Sequence, residues 1–558
     1  MHLPSTEVIA KSAEPSGRSL FRISNPRVQL LSGYFGLLLL LMLIFLAAGG
    51  SFLLQRSPWM DEVHTLLLVH DGSLSRAMEA LQDGVDFNPP AYFLTARSWL
   101  TVTNSNSEFS LRIFSLLLMT GALSLAYAGA AQRFGAIPAL IAVLLIAAHP
   151  VIVHQSTEMR FYSLWAAALM ALCRLLPDTD TSFSVRRHIL LILLSCIVCT
   201  SHYFGIVSLG LVVGGQAIAC RFRNRRLWTG LLTGLCGLLS VAACWPFLSG
   251  QKQALSRPTW ISPATIPDSL DFLWASLPLG SVAGCLLAFI ISRGLSVKSH
   301  PGNQSLVFDR LRRAFLMPET ALVFLPIVLI LFSWTVQPAL VPRYATLAAF
   351  GCVPSAASLL SLCSPAVNRF ILALVVLTAG NSVYTCVNQW KSFESTLAQA
   401  ERAVETTPAR SIVIFEDRSV WFPLIYRRPD LAARCFLADF TDAQMSVDSD
   451  LRVVQRDAGR RTTLWYPRMK MQSLGSLTDY SRFFVMPYSG GSGQDLKYPS
   501  GYRSMRYSQH LWEFLRDANP KVSGGSEGGA VCPDNDTVQA PTESPSNLPG
   551  KIFDPGNT

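Results

Sequence analysis

Residues 31–54 run from Leu31 to Leu54 without a charged side chain, and about 20 apolar residues cross a bilayer core as one helix. Further apolar runs follow near 111–131, 135–153, 161–177, 188–202, 204–220, 227–248, 270–292, 319–337, 344–363 and 369–388. With 32–54 as the first, the pattern predicts eleven membrane helices. The polar segment 55–110 has its own pattern. An apolar stretch at 65–69, then Met78, Leu81 and Val85, predicts short amphipathic helices along the membrane surface, with Asp71-Gly72 as the turn between them. The segment closes in Asp86-Phe87-Asn88-Pro89-Pro90-Ala91-Tyr92-Phe93, whose double proline ends any preceding helix and fixes the backbone direction.

Beyond residue 388 the pattern becomes that of a soluble fold. Ser411-Ile412-Val413-Ile414-Phe415 reads as a buried strand, 462–465 and 482–486 as further strands, and 401–404 and 421–426 as helical. These predict a small α/β domain over 391–518. Gly, Ser and Pro dominate 519–558, which reads as a disordered tail carrying the sequon Asn535-Asp536-Thr537. Asn303-Gln304-Ser305 falls on the cytoplasmic side of the predicted topology, where a sequon is silent.

Composition agrees with a polytopic membrane protein. Half the residues are hydrophobic and 15% charged, against about 25% charged in soluble domains. The net charge of +10 does not mark a nucleic-acid binder, because Lys and Arg lie in short loops between apolar runs and no RNA-binding or zinc-finger signature is present. Counted by alternating loops, eighteen basic residues fall on one side, among them Arg22, Arg133, Arg186, Arg225 and Arg312, and eight on the other. The basic side faces the cytoplasm. That puts 1–30 inside, with the first run as an uncleaved anchor, and Asp61 and the C-terminal domain outside the cell membrane. Ten of twelve cysteines lie in or beside apolar runs, Cys196 and Cys199 among them, and read as small buried thiols. Cys435 and Cys532 alone fall in the exported region, where they are able to pair.

Candidate chemistry clusters on the outer side. Asp61-Glu62 follows the first run, Asn88-Pro89-Pro90-x-Tyr92 closes the outer loop, and Glu108-Phe109-Ser110-Leu111-Arg112 opens the second span. Gln155-Ser156-Thr157-Glu158-Met159-Arg160-Phe161-Tyr162, His202-Tyr203-Phe204-Gly205 and Val341-Pro342-Arg343-Tyr344 follow in order. Charges at such depth are expensive and usually functional.

This ordered set, spread over roughly residues 30–390, resembles the GT-C membrane glycosyltransferases, in particular the branch of the protein O-mannosyltransferases and lipid A sugar transferases (glycosyltransferase family 39-like). Many relatives carry His or Lys where this chain has Asn88. The resemblance implies a GT-C-like transmembrane domain over 31–390, with the outer loop at 55–110. It also implies a hexosyl or pentosyl transferase of the cell envelope. Its donor is a sugar on a polyprenyl phosphate, and transfer to an extracytoplasmic lipid, glycan or protein acceptor proceeds in one step with inversion.

Such transfer needs a base for the acceptor hydroxyl, which a carboxylate supplies. Asp61 is the candidate, with Glu62 beside it. Developing phosphate charge calls for guanidinium groups. Arg160 and Arg343 are the candidates, with Tyr162, Tyr344 and Asn88 completing the donor site. His64, Tyr92, His202 and Tyr203 are candidates for the acceptor pocket. Glu62, Glu158 and His202 offer oxygen and nitrogen ligands for a divalent metal ion such as Mg, Mn or Zn. Against these roles stands simple pairing of Arg160 and Arg343 with Asp61 and Glu158. Two other functions fit the pattern: a protein O-mannosyltransferase proper, and a transporter or flippase of lipid-linked glycans, for which internal repeats would be the sign.

Overall fold

The structure, a computed structural model, describes residues 40–176, 184–219, 224–254, 264–278 and 303–439, omitting 42 and 46, together with 283, 286, 287, 290 and parts of 461–516. The basic N-terminal segment, residues 32–39 of the first predicted span, parts of the predicted span 270–292, the tail 519–558 with its sequon, and Cys532 lie outside the described residues.

After a short helix α1 (Gly50–Gln55), the outer loop folds as α2 (Met60–Val69), α3 (Leu74–Gln82) and α4 (Ala91–Thr103). The first two are the predicted short helices, with Asp71-Gly72 between them. The double proline does more than stop a helix. Pro90 is the N-cap of α4, where a residue without an N–H costs nothing.

α5 (Glu108–Phe134) is followed by α6 (Ala136–Ala147), α7 (Pro150–Thr157), α8 (Tyr162–Leu175), α9 (Val185–Ser201), α10 (Gly205–Ala219), α11 (Asn224–Ala243) and α12 (Trp245–Ala254). Gly135 sits between α5 and α6 at φ 93°, a conformation that side chains with a Cβ disfavour. The predicted span 135–153 is not straight. α6 and α7 meet at 74°, because Pro150 lacks a donor and pushes His149 out of the helical region, to ψ 130°. The span at 227–248 likewise bends, by 53°, ahead of Trp245-Pro246. Beyond them lie α13 (Ile266–Ser276), α14 (Asn303–Phe315), a 3-10 turn at Pro318–Phe324, α15 (Leu325–Thr335), a second turn at Pro342–Ala345, α16 (Thr346–Leu360) and α17 (Pro365–Thr406). Among the described residues, Glu108–Phe134, Pro318–Thr335 and Pro365–Thr406 are each long and apolar enough to cross a membrane, and counting each bent pair as one span gives five. The other predicted spans that are described are shorter helices, such as Tyr162–Leu175 and Gly205–Ala219.

At 42 residues, α17 is about 63 Å long, twice the hydrocarbon thickness. Its residues 370–390 carry no charge, and its far half packs under a six-stranded sheet. The boundary predicted at 390 therefore falls inside one helix. The sheet is built from β1 (Ile412–Phe415), β2 (Cys435–Asp439), β3 (Met471–Ser473), β4 (Arg482–Met486), β5 (Tyr502–Ser508) and β6 (Leu511–Arg516) in the order β3-β2-β1-β4-β6-β5, with α18 (Arg418–Arg427) after β1. β1 runs parallel to β2 and β4, while β6 is antiparallel to β4 and β5. Alternation along β1 buries both faces: Val413 and Phe415 join Leu397, Val404, Trp421 and Phe422, and Ile414 joins Phe483, Val485 and Phe514. The segment 462–465, predicted as a strand, is helical at its described residues. It docks on the outer loop, where Trp465 Nε1 donates to Asp83 Oδ2 at 2.9 Å and Arg76 Nη2 donates to the Trp465 carbonyl at 2.6 Å. Cys435 is buried and has no disulfide partner among the described residues, and Cys532 lies outside them.

Candidate active site

The ends of five helices meet under α2. They are the amino ends of α5, α8 and α16 and the carboxyl ends of α7 and α9, and Arg112, Arg160, Arg343, Glu158 and His202 stand at or beside them.

Glu62 lies at the centre of this meeting and has no exposure. Its Oε2 accepts from Arg56 Nη1 at 2.6 Å, Arg112 Nη2 at 2.9 Å and the Trp59 amide at 3.2 Å. Its Oε1 accepts from Arg56 Nη2 at 3.0 Å and the Met159 amide at 3.0 Å. Arg112 also donates to the Arg56 carbonyl at 2.6 Å, and the Arg56 guanidinium lies 3.4 Å over the Trp390 ring. Buried charge survives only when paired and hydrogen-bonded, and here each lone-pair direction is used. Burial alone would raise the Glu62 pKa, but Arg112 and Arg56 outweigh it and hold the carboxyl at about 2. Glu62 thus ties together the outer loop, α5, the α7–α8 link and α17. Expected alongside Asp61 in the chemistry, it is instead closed to any substrate.

Asp61 precedes it on α2 and is 20% exposed. Its Oδ2 lies 3.5 Å from Arg343 Nη2. Arg160 Nη1 donates to the Asp61 carbonyl at 3.1 Å and Thr65 Oγ1 at 3.2 Å, and pairs with Asp86. Burial pushes the Asp61 carboxyl up, yet Arg160 and Arg343 carry it below the usual carboxylate range. Asp86 is held in turn by Asn88 Nδ2 at 2.5 Å. The Asn88 carbonyl accepts from Gln251 Nε2 at 3.1 Å, and Gln251 Oε1 accepts from the Tyr203 hydroxyl at 2.7 Å. Asn88 and Tyr203 therefore act on the site through Asp86 and Gln251. Of the simple pairings weighed from sequence, Arg343–Asp61 is present, and the carboxylate paired with Arg160 is Asp86.

His202, Tyr162 and Tyr344 form an aromatic wall with Phe161, Trp165 and Phe204. The His202 ring stacks on Phe161 at 4.4 Å and lies 5.2 Å from Tyr344. Gly205 permits the tight turn behind it, since a Cβ there would meet the Val198 carbonyl at 2.1 Å. His64 is buried edge-on to Phe422 at 4.9 Å, and burial lowers its pKa to about 4 although Asp61 and Asp86 pull it up. Tyr92 is 1% exposed, in the core beside Phe93.

The expected metal ligands do not form a set. Glu62 is saturated. Glu158 accepts from Trp59 Nε1 at 2.9 Å and lies 3.7 Å from His154 Nδ1. His202 is packed in the wall, with Nδ1 accepting from the Phe204 amide at 3.3 Å. Among the described residues no three His, Cys, Asp or Glu side chains come together as ligands.

No protein-family model matches the chain, and no curated protein does. A solved structure does. The crystal structure of ArnT from Cupriavidus metallidurans bound to undecaprenyl phosphate is similar to it at a TM-score of 0.52 and 12% identity, over 88% of this chain and 98% of that one. The chain has the GT-C fold. ArnT in the apo state is similar at a TM-score of 0.44, with 11% identity over 86% of this chain and 98% of that one. An Archaeoglobus fulgidus oligosaccharyltransferase tethered with an acceptor peptide is similar at 0.38, with 12% identity over 72% and 64%. Within the GT-C fold of this chain, four residues that hold the site have no role that the sequence motifs assign: Arg56, Arg112, Asp86 and Gln251. Arg112 carried a signal, since it stands at the start of an apolar run, where a charge needs a partner.

Proposed function

We propose that the protein is a membrane glycosyltransferase that moves a sugar from a polyprenyl-phosphate donor to an acceptor outside the membrane. The observation that carries this reading is the partly exposed Asp61 carboxylate set against Arg160 and Arg343 at gathered helix ends of a GT-C fold. The related ArnT structure holds undecaprenyl phosphate, a ligand of the proposed donor class. Asp61 accepts the acceptor's proton as its oxygen attacks the anomeric carbon. The bond from that carbon to the phosphate oxygen breaks, and polyprenyl phosphate leaves with the electron pair. Arg160 and Arg343 offset the charge that develops on it. The reaction inverts the anomeric centre because it is a single displacement. No step is assigned to a metal.

Sidedness fits this reading. Arg133, Arg174, Arg186, Arg187 and Arg369 stand at the ends of α5, α8, α9 and α17 away from the site. With the basic ends in the cytoplasm, the site and the sheet face outward, and the eleven predicted spans keep the N-terminus inside.

The test is turnover of a radiolabelled polyprenyl-phosphate sugar by the full-length protein in lipid nanodiscs, with cell-envelope lipids and proteins as acceptors. Wild type transfers label, whereas Asp61→Asn loses transfer by a factor of about 1,000 or more while still binding undecaprenyl phosphate. Equal transfer by both proteins would refute the assignment. Label crossing the bilayer without transfer would point to a transporter.

A further inference from the structure

β1 lies between β2 and β4 and runs parallel to both. The chain leaves β1 toward β2 and β3 on one side and returns to β4 on the other. The carboxyl end of β1 is therefore a topological switch point, where parallel sheets open a crevice for ligands. The residues there are Glu416-Asp417-Arg418. Asp417 caps α18, accepting from the Ser419 amide at 2.7 Å and its Oγ at 2.6 Å, and Arg418 is the first residue of that helix.

This end of the sheet does not face away from the site. α18 packs on α2: Val63 shares one core with Val420 and Phe422, and the Phe422 ring meets His64 edge-on. His64, 6% exposed, has no hydrogen-bond partner at Nε2. It lies one turn from Asp61 on α2. Arg418 lies one turn before Phe422 on α18, the helix that packs on α2 beside Asp61, and its positive charge favours the ionised form of that carboxyl.

We propose that the outer sheet is a component of the active site, and that Arg418 at its switch point is a positioning residue for Asp61. This rests on the reading of Asp61 as the base. The groups facing Asp61 are then Arg160 and Arg343 from the membrane helices, His64 and Thr65 from its own helix, the Tyr344 hydroxyl, and Arg418 from the sheet. Arg418 favours the ionised carboxylate. Without it the Asp61 pKa rises, and because the base works deprotonated, the acid limb of kcat/KM moves to higher pH.

The test compares Arg418→Gln, Arg418→Lys and Arg427→Gln in the full-length protein in nanodiscs. Arg427 lies at the other end of α18, bonded to Ser57 Oγ and Glu394 Oε2 at 3.4 Å, and serves as the control. Arg418→Gln moves the acid limb to higher pH, Arg418→Lys restores most of the shift, and Arg427→Gln leaves it in place. An infrared titration of the Asp61 carboxyl band, assigned with Asp61→Asn, follows the same group without turnover. If that band titrates identically in wild type and Arg418→Gln, the proposal is overturned, whatever happens to activity. If the band shifts but the acid limb does not, Arg418 acts on Asp61 as proposed, and it is the reading of Asp61 as base that fails.

Discussion

Asp61 and Glu62 are neighbours in the chain and opposites in the fold. Glu62 is wholly buried and accepts five hydrogen bonds, three of them from guanidinium nitrogens. Asp61 is partly open to solvent, and its Oδ2 lies 3.5 Å from Arg343 Nη2. Successive residues on a helix point about 100° apart, so one turn of α2 presents one carboxylate inward and the other toward the Arg160–Arg343 side. A saturated carboxylate has nothing left to offer a substrate. An under-coordinated one beside two cations does, and the rigidity of the first holds the second in place.

That contrast can be broken at several points. The largest effect on stability is expected from Glu62→Gln. It leaves Arg56 and Arg112 buried beside a neutral amide, a loss of about 3–5 kcal/mol, read as a fall in Tm and in the yield of folded protein. Arg343→Gln removes the cation set against Asp61. It lowers kcat/KM about 100-fold and weakens undecaprenyl phosphate binding, with Tm nearly unchanged. Asn88→Ala frees Asp86 and loosens Arg160 at one remove, costing about tenfold or less in kcat/KM. Falling pH separates the two carboxylates most gently. The folded pKa of Glu62 is lowered from 4.5 to about 2, so its contribution to stability is complete above pH 4.5 and is lost as pH falls toward 2. Chemical unfolding across that window shows the slope in wild type and loses it in Glu62→Gln.

Much of this arrangement is legible in the sequence. Apolar runs locate the helices, and the ordered polar motifs name Asp61, Glu158, Arg160, His202 and Arg343, which the fold brings to one place. The run 135–153 reads as one straight span, and the bend at Pro150 that delivers Glu158 and Arg160 comes only with the fold. The inner arginines are less legible. Arg56 counts as an ordinary loop charge, and Arg112 as a charge that needs a partner without saying which, until the fold sets both on Glu62, because the pairing of residues 50 apart depends on packing that periodicity does not encode. The change in composition near residue 388 reads as a domain boundary, yet α17 passes through it, since a helix continues when only its exposed face changes from lipid to water. The segment 462–465 has strand-forming residues, but its side chains find partners on α3 and adopt helix there.

Adjacent carboxylates thus divide the work, one holding and one reacting. Measuring Tm and single-turnover sugar transfer side by side for Asp61→Asn and Glu62→Gln in nanodiscs tests it most directly. Asp61→Asn is expected to keep the wild-type Tm and lose transfer, whereas Glu62→Gln loses Tm first. A drop in Tm for Asp61→Asn as large as that for Glu62→Gln, or transfer undiminished in Asp61→Asn, would contradict it.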